Sequence, residues 1–371
     1  MDEVTIIDWE LDDFNVSPET LIFSYIKKAE DGDVEAQRLL ANVYYFGIAV
    51  EKDVDMAISW LTRAADTGDA RAMASLGMWY QRLDCPKRDL EKGFSLINRA
   101  SASGYDYIMA RLALCYELGL GTLKDVRKAI TIYDNALKNG NPLARYRLAF
   151  IYAQGKEVTQ DLLKSFTLAD SLSKMGYPPA LEMVGKFYMR GDVVGRNPQK
   201  GIEYFELAMR LGSKPAKCRY ACELISGIHI EKNVSKGIEL LEELVEEEFA
   251  PAIYQLGRIY NAGKDVERDR DRAFDYFKQC LDFEYPPAYV SLGLLYITGE
   301  RSKQNVTKAF RCFQKAASLN NSYGFYYMGK MYMDKRLSIF NTEKAMECYR
   351  TAARLGNKQA VETIKKRIVK E

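Results

Sequence analysis

Side chains that could perform acid–base or metal chemistry are few in this sequence. His229 is the one histidine among 371 residues, so a metal site built from several imidazoles is excluded. No motif supplies a nucleophile to pair with it in a histidine-based triad. His229 falls in a predicted loop between two helices, where a surface position is the simpler interpretation. The sequence therefore predicts no catalytic residue and no enzyme.

Two cysteines form the second candidate site. Cys218 and Cys222 are four residues apart, which places both thiols on one face of a helix. A metal ion could use two thiolates, but no further ligand lies near them in sequence. Free cysteine commonly packs as a small hydrophobic residue. We therefore expect both thiols in the core, with no metal and no other cofactor bound.

The number and spacing of the cysteines, together with the N-terminal sequence, indicate the cellular compartment. Seven cysteines are odd in number and show no Cys-x-x-Cys spacing, which suits reduced thiols in the cytoplasm. Residues 1–14 contain six acidic side chains and no basic one, unlike a secretory signal. No stretch approaches the roughly 18 uninterrupted apolar residues of a membrane helix. Cytoplasmic localisation without membrane insertion is predicted.

The net charge of the chain limits the classes of binding partner that the sequence favours. The chain has 53 basic and 51 acidic residues, a net charge of +2. Bulk electrostatic attraction to nucleic acid or to an anionic membrane is therefore not indicated.

A 36-residue period underlies residues 33–356 and places nine copies in register without insertion or deletion. In the first copy, apolar spacing predicts helices over Val34–Phe46 and Val54–Asp66, each followed by a glycine. A helix pair this short cannot bury both apolar faces alone. Copies must therefore stack on their neighbours, as in a solenoid.

Three positions recur within the period. A tyrosine of the first helix is replaced once, by Leu224, and the glycine that closes the second helix is replaced by Glu248, Glu284 and Asn320. Three residues before the tyrosine comes a small residue, at Ala41, Gly77, Ala113, Ala149, Gly185, Ala221, Gly257, Gly293 and Gly329. The small residue is predicted to let two helices approach closely, and the tyrosines are predicted to belong to the core.

The frame A-x4-[GA]-x2-Y-x2-G, followed by A-x2-[WYF]-x3-A and a glycine, resembles the Sel1-like repeat, a relative of the tetratricopeptide repeat. The resemblance implies an all-α, right-handed superhelical solenoid of nine helix-turn-helix repeats. We expect an acidic leader at 1–16, a capping half-repeat helix at 17–32, the repeats at 33–356 and a C-terminal capping helix at 357–371. The shared residues are packing residues, so the resemblance itself is unspecific about function.

In tetratricopeptide-like arrays the first helices line a concave groove. By resemblance, the groove positions of this chain flank the small residue of each first helix. They are rich in aromatic, methionine and arginine side chains, which are typical of protein interfaces. Arginine and lysine together outnumber aspartate and glutamate among them. The partner-binding residues expected on this basis are Arg38, Asn42, Tyr45, Arg71, Met78, Arg82, Tyr107, Tyr146, Phe150, Lys186, Arg190, Tyr254, Arg258, Asn261, Tyr326 and Lys330.

The predicted function is a non-enzymatic scaffold or adaptor that holds a peptide or protein segment, acidic or aromatic in character, in this groove. One alternative is a regulatory subunit that acts through its convex face or loops. A hydrolase-type enzyme and a nucleic-acid binder are disfavoured by the missing motifs and by the charge balance. Because residues 1–14 are acidic, we also consider that this segment docks near Arg38, Arg71 and Arg82, or instead packs as a cap or forms a loose leader.

Overall fold

The computed structural model describes residues 18–48, 50–82, 85–103, 106–298 and 305–368. Within these ranges the chain forms twenty α-helices, one 3-10 helix and no strand. The chain folds as two compact units, Met1–Leu172 (unit 1) and Ser173–Glu371 (unit 2). The acidic leader lies outside the described residues, and so does the hypothesis about its docking.

Helices alternate along the chain as the first and second helices of the repeats, between α1 (Pro18–Glu30) and α20 (Lys358–Ile368). The first helices are α2 (Val34–Phe46), α4 (Ala70–Gln81), α6 (Met109–Leu118), α8 (Pro142–Gln154), α10 (Pro178–Arg190), α12 (Lys214–Ser226), α14 (Ala250–Ala262), α16 (Pro286–Thr298) and α18 (Ser322–Met333). The second helices are α3 (Val54–Asp66), α5 (Leu90–Ala102), α7 (Val126–Lys138), α9 (Leu162–Ser173), α11 (Pro198–Arg210), α13 (Val234–Glu246), α15 (Arg270–Gln279), α17 (Val306–Ser318) and α19 (Thr342–Arg354). Within each unit a helix packs mainly on its neighbours along the chain. The predicted all-α solenoid of helix-turn-helix repeats is confirmed.

The turn between the two helices of a repeat is fixed by one capping residue. In the first repeat the Asp53 carboxylate accepts a hydrogen bond from the Met56 amide at 2.9 Å, which satisfies an otherwise unpaired donor of α3. The Asp53 amide in turn donates to the Tyr44 carbonyl at 2.9 Å. The equivalent backbone bond is present in all nine repeats, up to Asn341 and Tyr332.

The residue that closes a second helix has a positive φ even where it is not glycine. Gly140 and Gly212 adopt φ of 77° and 82°. Glu248, Glu284 and Asn320 adopt φ of 56°, 47° and 57°. A left-handed conformation costs a residue with a side chain roughly 1 kcal/mol. The repeat geometry therefore overrides the local preference at these three positions.

The small residue of the first helix lies against the second helix of the same repeat. A Cβ atom on Gly257 would lie 2.6 Å from the Phe277 ring, and one on Gly185 would lie 2.8 Å from the Phe205 ring. Both rings are fully buried. The aromatic side chain thus fills the space that glycine leaves, and the predicted close approach is confirmed.

Of the recurring tyrosines, Tyr80 and Tyr260 are buried and the other six are half-buried. Tyr80 is 5% exposed, and its hydroxyl accepts a hydrogen bond from Lys92 Nζ at 3.0 Å. Tyr116 is half-buried against the core, with Lys128 Nζ 2.8 Å from its hydroxyl. A lysine near the start of the second helix thereby satisfies the polar end of the ring. The predicted core placement holds for the rings.

The seven cysteines are unpaired. Cys85, Cys115, Cys218 and Cys280 are buried, and Cys222, Cys312 and Cys348 are half-buried. Cys218 belongs to a hydrophobic cluster of unit 2, as expected for a packing cysteine.

The third repeat departs from the regular frame. A 3-10 helix over Asp106–Ile108 precedes α6, which starts at Met109 without a side-chain cap. Tyr107 lies in this short helix and is 51% exposed.

Candidate functional site

The expected partner-binding residues lie on the first helices or directly beside them. Five of them are exposed, namely Arg71, Tyr107, Arg190, Arg258 and Lys330. Ten are half-buried, namely Arg38, Asn42, Met78, Arg82, Tyr146, Phe150, Lys186, Tyr254, Asn261 and Tyr326. We call the accessible side of the first helices the first-helix face and describe it separately for the two units.

Tyr45 is the exception, because it is only 4% exposed. Its ring stacks on Trp79 of the next repeat, with the centroids 4.3 Å apart and the planes at 25°. The Arg82 guanidinium lies 5.6 Å from the centroid of the same ring. The expectation of an accessible Tyr45 was wrong, since α4 places Trp79 over it and makes it a packing residue.

Two carboxylates of unit 1 lie beside Arg38. Arg38 Nε lies 3.6 Å from Asp69, which also caps α4 by accepting from the Ala72 amide at 2.7 Å. Arg38 Nη2 lies 3.9 Å from Glu35. The charge of this half-buried arginine is thus shared between two acidic residues.

A buried carboxylate network connects the third and fourth repeats. The Glu117 side chain accepts hydrogen bonds from Tyr133 Oη at 2.8 Å, from Arg147 Nε at 3.0 Å and from Arg147 Nη2. Glu117 is 8% and Arg147 18% exposed at the side chain. Burial opposes the charge of Arg147, but hydrogen bonds and attraction from Glu117 outweigh it and raise the pKa of Arg147. Burial, together with the Glu117 carboxylate, raises the pKa of Tyr133.

The network holds Arg147 in a fixed place on the first-helix face. Its guanidinium lies 5.1 Å from the Phe150 ring, and the Phe150 and Tyr146 centroids are 6.5 Å apart. The predicted Phe150 therefore lies beside a cation that an internal carboxylate already neutralises, and Tyr146 lies beside Phe150.

Basic residues dominate the corresponding face of unit 2. On α10, Glu182 accepts a hydrogen bond from Ser213 Oγ at 2.5 Å and lies 3.7 Å from Lys186 Nζ. Arg190 follows Lys186 by one turn, and Arg258 on α14 donates to the neutral Gln255 at 3.2 Å. Among the residues that the structure describes, neither Arg190 nor Arg258 has an ion-pair partner.

The predicted tyrosines of unit 2 are anchored by other rings. Tyr254 lies 5.6 Å from Phe277 and 5.4 Å from Tyr285, measured between centroids. Tyr326 lies 5.9 Å from Tyr349, and Lys330 Nζ is 5.9 Å from the Tyr326 ring. Each tyrosine therefore packs on one side and remains accessible on the other.

Three arginines of this face were missed by sequence reasoning. Arg111, Arg147 and Arg219 share a single repeat position on α6, α8 and α12, two residues before the small residue. All three are at least partly exposed. Their spacing in multiples of 36 is visible in the sequence, but the first repeat has the apolar Leu39 at this position.

The single histidine of the chain pairs with one carboxylate of the preceding helix. His229 lies in the loop after α12 with its Nδ1 2.8 Å from Glu223 Oε2. No group of three or more His, Cys, Asp or Glu side chains in the described ranges could hold a metal ion. In the same ranges, every helix falls short of the length and apolar character needed to cross a bilayer.

Three solved structures illustrate the similarity of this fold to known proteins. A Sel1 repeat protein from Oxalobacter formigenes is 19% identical with a TM-score of 0.56, over 68% of this chain and all (100%) of that one. The protective antigen c5321 of uropathogenic Escherichia coli, which displays an SLR fold, is 23% identical with a TM-score of 0.52, over 93% of this chain and 73% of that one. Human IFIT1, as a dimer with PPP-AAAA, is 15% identical with a TM-score of 0.52, over 96% and 87%. At these identities the likeness shows the fold alone.

A search of curated proteins finds no match. The family model for the Sel1 repeat matches nine segments, at residues 34–69, 70–105, 108–141, 142–177, 178–213, 215–247, 250–279, 286–321 and 323–357. These segments follow the first and second helices of the structure repeat by repeat. The chain therefore belongs to the Sel1 repeat family.

Proposed function

We propose that this protein is a non-enzymatic scaffold or adaptor that holds a segment of a partner protein against its first-helix face. Sel1 repeat proteins are generally protein-interaction scaffolds. The unpaired cysteines support a reducing compartment such as the cytoplasm.

One repeat position carries this proposal. The small residue of the first helix is buried in all nine repeats, whereas the residue directly after it is at least partly exposed in all nine. The accessible residues are Asn42, Met78, Leu114, Phe150, Lys186, Cys222, Arg258, Leu294 and Lys330. Their chemistry changes from repeat to repeat, while the packing residue beside each stays glycine or alanine. A surface that varies over a uniform frame is suited to recognising one particular partner.

Substitutions on the first helices, compared with substitutions on the second helices, test the proposal. Arg190→Gln with Arg258→Gln alters the first-helix face of unit 2, and the control pair Arg99→Gln with Lys278→Gln alters exposed positions on second helices. Partner capture from native lysate, identified by mass spectrometry, is expected to fall with the first pair and to persist with the control pair. Loss with the control pair alone would place binding on the second helices and contradict the proposal.

A further inference from the structure

Four basic side chains gather on the first-helix face of unit 2. Lys186 and Arg190 lie one turn apart on α10, and Arg219 lies on α12. Arg258 on α14 occupies the same repeat position as Lys186, two repeats later, with Cys222 of α12 between them in register. We call Lys186, Arg190, Arg219 and Arg258 the basic cluster.

Nearby carboxylates are too few to neutralise this cluster. Glu182 is 3.7 Å from Lys186, but it also accepts the hydrogen bond of Ser213. Glu223 is bound to His229 at 2.8 Å. Within the described part of the chain, Arg219 lies over the Phe205 ring at 5.6 Å and has no ion pair. Three of the four cations therefore lack an internal counter-charge.

Cations elsewhere in unit 2 are commonly paired. Lys217 lies 2.6 Å from Glu243, Lys236 lies 2.7 Å from Glu239, and Lys315 lies 2.6 Å from Glu284. The chain as a whole has a net charge of only +2. The excess of positive charge is thus a local property of the first-helix face.

The arginines of the basic cluster contribute to the pKa shifts of two titratable groups of opposite type. Burial lowers the pKa of Lys186, and the charges of Arg219 and Arg190 lower it further, despite the attraction of Glu182. A hydrogen bond from Cys218 lowers the pKa of Cys222, and Arg219 and Arg258 contribute to the same shift. Positive potential disfavours a protonated amine and favours a thiolate, so both shifts agree with uncompensated positive charge.

We propose that the basic cluster binds carboxylate side chains of an acidic, extended segment in the partner protein. This inference rests on the proposed scaffold function and names the chemistry of its ligand. Arginine suits the role because its planar guanidinium can bind a carboxylate through two parallel hydrogen bonds. Cations on three successive first helices would contact separate carboxylates along such a segment. The Glu182 carboxylate within the cluster and the near-neutral chain do not favour a continuous polyphosphate backbone.

A direct binding measurement with the full chain tests this inference. The probe is a fluorescein-labelled oligoglutamate peptide, with an oligoglutamine peptide of equal length as the neutral control. Fluorescence anisotropy should show oligoglutamate binding that weakens as NaCl is raised. Arg219→Gln with Arg258→Gln should weaken it about tenfold or more, because charge-assisted hydrogen bonds are lost. Arg210→Gln, which removes a cation of α11 paired with Glu206 at 2.7 Å, should leave it unchanged.

Circular dichroism should first show that the variants keep the helicity of the wild type. Equal binding of oligoglutamate to the wild type and the double variant would overturn the inference, and so would equal binding of the neutral peptide. Binding of single-stranded oligouridylate without binding of oligoglutamate would overturn it in favour of nucleic acid. If oligoglutamate fails while lysate capture still depends on Arg190 and Arg258, only this inference falls and the scaffold remains. If that dependence is absent as well, the proposed function falls too.

Discussion

The two units use one repeat frame to present different chemistry on their first helices. Directly after the small residue, unit 1 has only uncharged residues, namely Asn42, Met78, Leu114 and Phe150. Unit 2 has three basic residues at this position, Lys186, Arg258 and Lys330, beside Cys222 and Leu294. The half-buried Arg147 of unit 1 is neutralised internally by Glu117, whereas three cations of the basic cluster have no such partner among the described residues. Packing residues thus determine the fold, whereas under the proposed function the adjacent accessible positions would select the partner.

The largest expected effect is the loss of stability when Glu117, the carboxylate that neutralises Arg147 in unit 1, is removed. Glu117→Ala would leave Arg147 half-buried and Tyr133 buried without their shared acceptor. We expect a loss of about 3 kcal/mol in the free energy of unfolding, measured by thermal and urea denaturation. The comparable variant in unit 2, Glu182→Ala, should cost only about 1 kcal/mol, because it frees one hydroxyl and one partly exposed amine.

A double variant provides the control for this comparison. Arg147→Met in the Glu117→Ala background removes the unpaired cation and should recover most of the lost stability. A double variant no more stable than Glu117→Ala would show that the loss does not come from an unpaired charge. Equal losses for Glu117→Ala and Glu182→Ala would remove the distinction between the units.

The second-largest expected effect is the loss of stability when the small residue of a first helix is enlarged, in either unit. Gly257→Leu would press against the buried Phe277 ring and should destabilise the protein by about 2 kcal/mol. Gly77→Leu in unit 1 should cost at least as much, because a Cβ there would lie 2.8 Å from the backbone oxygen of Gly93. The exposed position Glu203 provides the control, where substitution by leucine should change the melting temperature little. Equal effects at all three sites would mean that the repeat register is misassigned.

The third effect distinguishes the closing residues of the two units. Unit 2 uses Glu248 at a positive φ, where unit 1 uses Gly140. Glu248→Gly should raise the free energy of unfolding by about 0.5–1 kcal/mol, and Gly140→Glu should lower it by about 1 kcal/mol. Thermal melts of both variants check this pair. A destabilising Glu248→Gly would show that the glutamate side chain contributes more than its backbone strain costs.

The smallest effect is a difference in thiol reactivity. Burial raises the pKa of Cys115 in unit 1, whereas the pKa of Cys222 in unit 2 is lowered by Cys218 and the nearby arginines. Alkylation requires the thiolate. Cys222 should therefore react with iodoacetamide at lower pH than Cys115, as measured by peptide mass spectrometry. Since Cys115 is also less accessible, Arg258→Gln is the informative control and should slow the reaction of Cys222 alone.

The frame of this fold was largely predictable from sequence. Both helices of the first repeat have the predicted bounds, Val34–Phe46 and Val54–Asp66, since apolar spacing and caps determine them locally. The side-chain network of the first-helix face was not predictable in the same way. Glu117 and Arg147 are 30 residues apart, so their pairing depends on how two adjacent repeats stack.

The sequence also did not predict which side chains of the first-helix face are accessible. Tyr45 and Phe46 are neighbours in one helix, yet Tyr45 is 4% and Phe46 is 45% exposed, because Trp79 of the next repeat covers only the former. The net charge of +2 likewise gave no sign of the basic cluster, since composition does not reveal where charges gather. The accessibility of a side chain that faces another repeat can thus be read only from the stacked structure. The placement of a side chain within its own helix pair can be predicted from the sequence.

Site-specific photo-crosslinking tests the central claim most directly. A photoreactive amino acid is placed at Ala262, exposed on the first helix α14, or at Lys278, exposed on the adjacent second helix α15. If the first-helix face holds the partner, the partner captured from native lysate should crosslink at position 262 and not at position 278. Crosslinking at position 278 alone would place the partner on the opposite helices and contradict the account.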